Sequence, residues 1–229
     1  KELCWIHLDY SQPAAQEWLE GPAALDPIIK SNLTDDDTRP RSLVHQNGVF
    51  LSLRGVNLNP GSDPEDMIAV RLWADEQLII TSNRRRLLSL EDVRDSLKAS
   101  NGPTSSASFI SLIVDRLAVR ADTVIQQLEE QLDQLEDDIT AGGQTEPRAL
   151  LSHLRRQAIR LRRFLSPQRQ ALEHLLNVPP RWFGKNDRML LRESLNQFNR
   201  YIEELDTIRD RAVVAQEELL GKLSEVLNK

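Results

Sequence analysis

Four things are scarce in this sequence: cysteine, long apolar runs, surplus positive charge, and the motifs of catalysis. Cys4 stands alone among 229 residues, so no disulfide framework holds the fold and a reducing compartment suits it. A lone thiol of this kind is expected to be a small packed residue rather than a nucleophile. No stretch approaches the roughly 18 consecutive apolar residues that span a bilayer. Lys and Arg number 29 against 35 Asp and Glu, a formal charge of −6, which argues against a general nucleic-acid binder. The Gly-x-Gly-x-x-Gly loop, the P-loop and the nucleophile elbow are all missing, and Ser, His and Asp are too scattered to assemble a triad. The chain is expected to be no enzyme and to need no cofactor.

Metal-ligand spacing is missing too. His7, His45, His153 and His174 are never three or four residues from one another, so a structural zinc site has no support. The chain opens on Lys1 without an initiator Met, and both ends are read as limits of a longer protein.

What is present is a core of ordinary size and a helix of unusual length. The sequence is 40% apolar and 28% charged, enough for one large or two small soluble domains. From about 186 to 229, apolar residues recur at Leu191, Leu195, Phe198, Ile202, Leu205, Ile208, Ala212, Ala215, Leu219, Leu223 and Val226. That spacing lays them along one helical stripe, about 66 Å long at 1.5 Å per residue. No Gly or Pro closes it, so the helix is expected to run on beyond its own domain.

The region before about 103 mixes short strands and helices. Cys4 to Asp9 alternates like a strand, and Pro13 and Pro27 each open a short helix. Thr34 to Pro40 is a polar loop. Asn47-Gly48, between Leu43–Gln46 and Val49–Leu53, predicts a hairpin closed by a type I′ turn. A second hairpin joins Met67–Trp73 to Gln77–Thr81, and a short helix follows around Leu87–Leu97. The expectation is α+β: a mixed or antiparallel sheet with flanking helices in residues 1–103, then a long-helix part in 104–229. The break is set by Ser100-Asn101-Gly102-Pro103-Thr104.

Three long helices are predicted, over about 105–141, 147–177 and 186–229. Gly142-Gly143 ends the first, and Pro167 should kink or interrupt the second. The first is acidic from Glu129 to Asp138, and the second carries Arg148, Arg155, Arg156, Arg160, Arg162, Arg163 and Arg169. A short turn makes them antiparallel neighbours, so their charges are expected to pair with each other and leave arginines to spare. Arg155, Arg156, Arg162 and Arg163 are therefore candidates for holding an anion. Arg84-Arg85-Arg86 reads as a solvated turn after a strand, and the acidic run as a solvated face rather than a cation site. Asn199 and Arg209, polar residues near the terminal seam, are read chiefly as helix surface.

Trp5-Ile6-His7-Leu8-Asp9-Tyr10, Met67–Leu72 followed by Leu78–Thr81, Leu161–Arg169 with its Arg-Arg-Phe-Leu-Ser-Pro-Gln, and Tyr201–Asp206 follow one another in an order that resembles the CorA-like divalent-cation transporters, in particular their zinc-transporter (ZntB) branch. The resemblance implies a homopentamer in the bacterial inner membrane, with this portion cytoplasmic. It also implies that the last helix leads to a transmembrane segment and that five copies form a funnel towards the pore. Zinc is the implied cargo; magnesium, cobalt or nickel stays open, as does a soluble coiled-coil scaffold or regulatory adaptor. The family's pore signature follows its membrane helix. Gly55-Val56-Asn57 spells a variant of it behind a strand, with no spanning helix before it, and is read as coincidence.

Overall fold

The computed structural model describes residues 3–141 and 147–227. Alternation in five short segments builds the strands β1 (Cys4–Asp9), β2 (Arg41–His45), β3 (Gly48–Gly55), β4 (Ile68–Ala74) and β5 (Leu78–Asn83). They form one mixed sheet in the order β1-β5-β4-β3-β2, with β1 parallel to β5 and every other pair antiparallel. Period-2 geometry sends neighbouring residues to opposite faces. Phe50, Trp73 and Ile80 on one face bury against Leu19 of α1 (Pro13–Glu20) and against Ile29 and Leu33 of α2 (Pro27–Thr34). Val49, Leu51, Leu53, Val70, Leu72 and Ile79 on the other face join a larger core shared with the long helices. The chain then passes through α3 (Leu88–Lys98) and reaches α4 (Ser106–Ala141), α5 (Pro147–Asn177) and α6 (Lys185–Leu227).

Local chemistry explains where these helices begin. Asp26 accepts from the backbone N–H of Ile28 at 2.9 Å, with Pro27 at the first helical position. Ser105 and Ser108 bond each other's backbone N–H at 3.1 and 3.0 Å, a capping box that opens α4. Pro167 does not interrupt α5, which runs unbroken to Asn177. Buried residues on both sides of it, Leu161 and Leu165 before and Gln168 and Leu172 after, hold the helix across the missing hydrogen bond.

The β2–β3 turn differs from the sequence expectation by one residue. His45 pairs with Gly48, so Gln46 and Asn47 form the loop, and only Gln46 (φ 50°) is left-handed there. A type I′ turn needs two such residues. Gly48 is instead required inside the strand, because a Cβ there would lie 2.3 Å from the Trp73 ring and 2.8 Å from the Ala74 carbonyl oxygen.

The three long helices carry the same seven-residue repeat. In α4 it buries Val114, Ala121, Leu128 and Leu135; in α5 Leu151, Ala158, Leu165 and Leu172; in α6 Leu191, Phe198, Leu205 and Ala212. Seven-residue spacing keeps each seam facing its partners through a left-handed coil. Helices α4 and α6 lie parallel, because their contacts keep a nearly constant offset. The Ser111 hydroxyl meets the Asp187 carbonyl 76 residues on, Asp133 meets Arg211 at 78, and the Ile139 carbonyl meets Lys222 at 83. Helix α4 thus accompanies α6 from Asp187 to Lys222. The expected Gly142-Gly143 turn lies outside the described residues. Among those residues no helix is long and apolar enough to cross a membrane.

Candidate functional site

The element with most to do is α6, whose 43 residues present two different surfaces. Its inner face closes the bundle through Leu191, Phe198, Tyr201, Leu205 and Ile208, all buried. Its outer face leaves Met189, Leu190, Val214 and Leu220 exposed, Met189 and Val214 by 65% and 63%. Arg209 sits between Asp206 at 2.9 Å and Asp210 at 2.8 Å, neutralised by its own helix, and Asn199 is half-buried.

The acidic stretch of α4 finds its cation on α6. Arg211 donates from Nη2 to Asp133 at 2.5 Å and from Nε to Glu136 at 3.1 Å. The hydrogen bonds it donates, to Glu136 and then to Asp133, hold the Arg211 guanidinium above its ordinary range. Among the described residues no ion pair joins α4 to α5, which corrects the predicted pairing. The parallel register puts Arg211 beside Asp133, whereas α5 turns its charges elsewhere: Arg162 to Asp206 of α6 at 2.7 Å, and Arg160 towards the buried Glu65 at 3.6 Å. Arg155, Arg156 and Arg163 are exposed and Arg162 is half-buried. The first two lie apart from the others along the helix, and Arg163 lies at the mouth of a cleft with Arg39 and Arg54.

The remaining polar candidates are accounted for by neighbours. His7 shares a 2.8 Å hydrogen bond with Thr81, His45 lies 3.2 Å from Asp26, and His174 lies 2.7 Å from the Ser42 hydroxyl. Burial lowers the His7 pKa, partly offset by Asp9. Each arginine of the Arg84–Arg86 run has its own carboxylate, in Asp36, Asp66 and Glu91. No group of three or more potential ligands comes together among the described residues. Cys4 is exposed, not packed. It starts an edge strand, and Trp5, not Cys4, turns towards the core to meet Phe109 with ring centroids 5.0 Å apart.

Two features escaped the sequence reading. Between α4 and α6, burial and then the nearby Asp122 push the Tyr201 hydroxyl above its ordinary range. Burial, Asp122 and Glu129 likewise raise the Glu204 carboxyl. Nothing in the local sequence announces this acidic seam, because Asp122 and Glu204 are brought together only by helix register. The second is a pair of guanidinium groups inside the sheet domain, Arg54 and Arg71. Each sits in a strand run that reads as apolar, and an arginine inside such a run was the available signal.

The whole chain, residues 1–229, matches the model of the family described as CorA-like Mg2+ transporter protein. The divalent cation transporter CmaX of Pseudomonas aeruginosa is 35% identical over 231 residues, covering 100% of this chain and 70% of that protein. The zinc transport protein ZntB of Pectobacterium carotovorum is 31% identical over 226 residues, covering 99% and 69%. Among solved structures, the ZntB cytoplasmic domain of Vibrio parahaemolyticus superposes with a TM-score of 0.88 at 22% identity, over 98% of this chain and 89% of that one.

Proposed function

The chain belongs to the CorA-like Mg2+ transporter family, whose members move ions rather than catalyse reactions, and we propose that it is the cytoplasmic part of a zinc transporter in the bacterial inner membrane. In this reading five copies assemble through the outer faces of their long helices into a funnel that guides ions towards the pore. Helix α6 leads on into the transmembrane segment. Zinc is cargo, and no cofactor takes part.

The observation that carries the proposal is α6 itself. Its inner seam is already satisfied within the chain, yet Met189, Leu190, Val214 and Leu220 remain exposed along its length. Apolar residues left on the outside of a coiled-coil helix favour contact with another copy. The share of the relatives that the chain covers, about 70%, leaves room in them for the membrane passage. The zinc assignment is supported by the similarity to proteins named for zinc transport.

The deciding experiment is uptake by the full-length gene product in proteoliposomes, with zinc, magnesium, cobalt and nickel offered separately. Zinc flux well above the other three is expected. Equal or greater magnesium, cobalt or nickel flux would move the assignment to those ions. Absence of flux for all four would leave the scaffold or adaptor reading in its place. Light scattering on the same protein should return five copies, and a stable monomer would overturn the funnel.

A further inference from the structure

Strand β2 stops pairing at Arg41, opposite Ser52, so the next residue of β3 on the Phe50 face, Arg54, lies past the end of its neighbour. Helix α5 takes over there: the Gln168 side-chain oxygen accepts from the Arg54 backbone N–H at 2.6 Å. Between that helix and the loop entering β2 lies a cleft of about 510 Å³, within the range of small-ligand sites. Arg54 forms its floor, stacked on the Phe164 ring at 4.4 Å.

The Arg54 guanidinium is fixed entirely by neutral acceptors. It donates to the Thr38 carbonyl at 3.1 Å, to the Met67 carbonyl at 2.5 Å and to the Thr38 hydroxyl. These use three of its five N–H donors, and no carboxylate lies within ion-pair distance among the described residues. Arg71, the diagonal neighbour on the same sheet face, is about 7–8 Å away by strand geometry. It is only 1% exposed, stacked on Tyr10 at 4.5 Å and bonded to the Asp35 carbonyl. Its Nε and Nη1 have no partner. Two positive charges are thus held in or near the interior, Arg54 on neutral oxygens and Arg71 with two nitrogens unpartnered, and neither has a carboxylate at ion-pair distance among the described residues. Such an arrangement is costly unless an anion completes it.

The rim has the same sign. Arg39 and Arg163 line the cleft without a carboxylate partner among the described residues. Asp36 and Asp37 also line it, but their charges are directed to Arg84 and Arg41, each at 3.5 Å. Three planar guanidinium forks and a threonine hydroxyl around one space match the oxygens of a phosphate group. We propose that this cleft is a binding site for a phosphate group, free or carried on an organic phosphomonoester, held by Arg39, Arg54 and Arg163 with Arg71 supplying charge from behind. Of the helical arginines singled out by sequence, only Arg163 takes part.

The test is calorimetric titration of the chain with inorganic phosphate and with adenosine monophosphate. Ionic strength is held constant with chloride, at a pH where phosphate is dianionic. Saturable binding of either ligand is expected. Equal affinity assigns the site to phosphate itself, and tighter binding of the nucleotide assigns it to phosphomonoesters. The Arg39→Gln/Arg163→Gln double variant, altered only at exposed positions, should bind about tenfold or more weakly. Arg155→Gln/Arg156→Gln, on the same helix but outside the cleft, should bind as the parent does. No saturation by either ligand at millimolar concentration, or equal weakening in both double variants, overturns the proposal.

Discussion

Replacing Arg211 by Gln removes the guanidinium that pairs the Asp133 and Glu136 carboxylates of α4 with α6. The guanidinium contacts Asp133 and Glu136 together and is about a third exposed, with 32% of the side-chain surface open. A surface pair contributes about 0–1 kcal/mol once solvent screening and side-chain entropy are counted. Loss of the clamp also leaves Asp133 and Glu136 as like charges one turn apart, a further penalty of about 0.2–0.5 kcal/mol. Together these come to about 0.2–1.5 kcal/mol. With a urea slope of about 2–3 kcal/mol per molar for a chain of this size, the unfolding midpoint should fall by about 0.1–0.7 M with the slope unchanged. In about 1 M NaCl, where the Debye length shrinks to about 3 Å, most of the difference should vanish. The companion variant Arg155→Gln/Arg156→Gln should move the midpoint by less than half as much. The reverse ranking, with the α5 variant the more damaging, would mean that α4 pairs with α5 after all and that the parallel α4–α6 register is wrong.

Three other outcomes follow from the same packing. Glu204 has its folded pKa raised above its ordinary 4.5, so the folded state holds that proton more tightly and stability falls as pH rises from 4.5 through the raised value. Glu204→Gln should remove that loss and stabilise the chain at neutral pH, and urea midpoints across the pH range will reveal it; a variant no more stable than the parent at pH 7 refutes the reasoning. Leu205 is fully buried in the α6 seam, so Leu205→Ala should cost about 2–5 kcal/mol, whereas Leu220→Ala, at an exposed position, should cost under about 0.5 kcal/mol; thermal melts of the two should differ by several degrees. Gly48→Ala should destabilise by about 1–3 kcal/mol through overpacking against the Trp73 ring, with altered tryptophan near-UV circular dichroism, and an unchanged spectrum and stability would remove the steric account of that glycine.

The strands and the three long helices could be read because each rests on a short-range pattern. Alternation at Val49–Leu53 and Met67–Trp73 needs no knowledge of the neighbouring strand, and the apolar stripe from Leu191 to Ala215 needs none of its partner helices. Errors arose where a residue's role depends on something distant. Asn47-Gly48 spells a favoured turn, yet Gly48 is spent on making room for Trp73, 25 positions away. Pro167 looks like an interruption until the seams on either side of it are seen to hold the helix. The excess of arginine on α5 and of carboxylate on α4 invited pairing between sequence neighbours, but the bundle places Arg211 against Asp133 and Glu136. Arg162 turns towards Asp206 instead.

Sequence by itself determined that this chain builds a sheet followed by long heptad helices, that it carries no catalytic or metal motif, and which family it resembles. Those properties are written in composition, in periods of two and seven, and in the order of short segments. Only tertiary structure decided which charges meet, which apolar residues stay outside, and where positive charge goes uncompensated. Strand register sets Arg54 and Arg71 side by side, and helix register sets Tyr201 and Glu204 beside Asp122. Electrostatic energy depends on distance and burial, and neither quantity exists until the chain has folded.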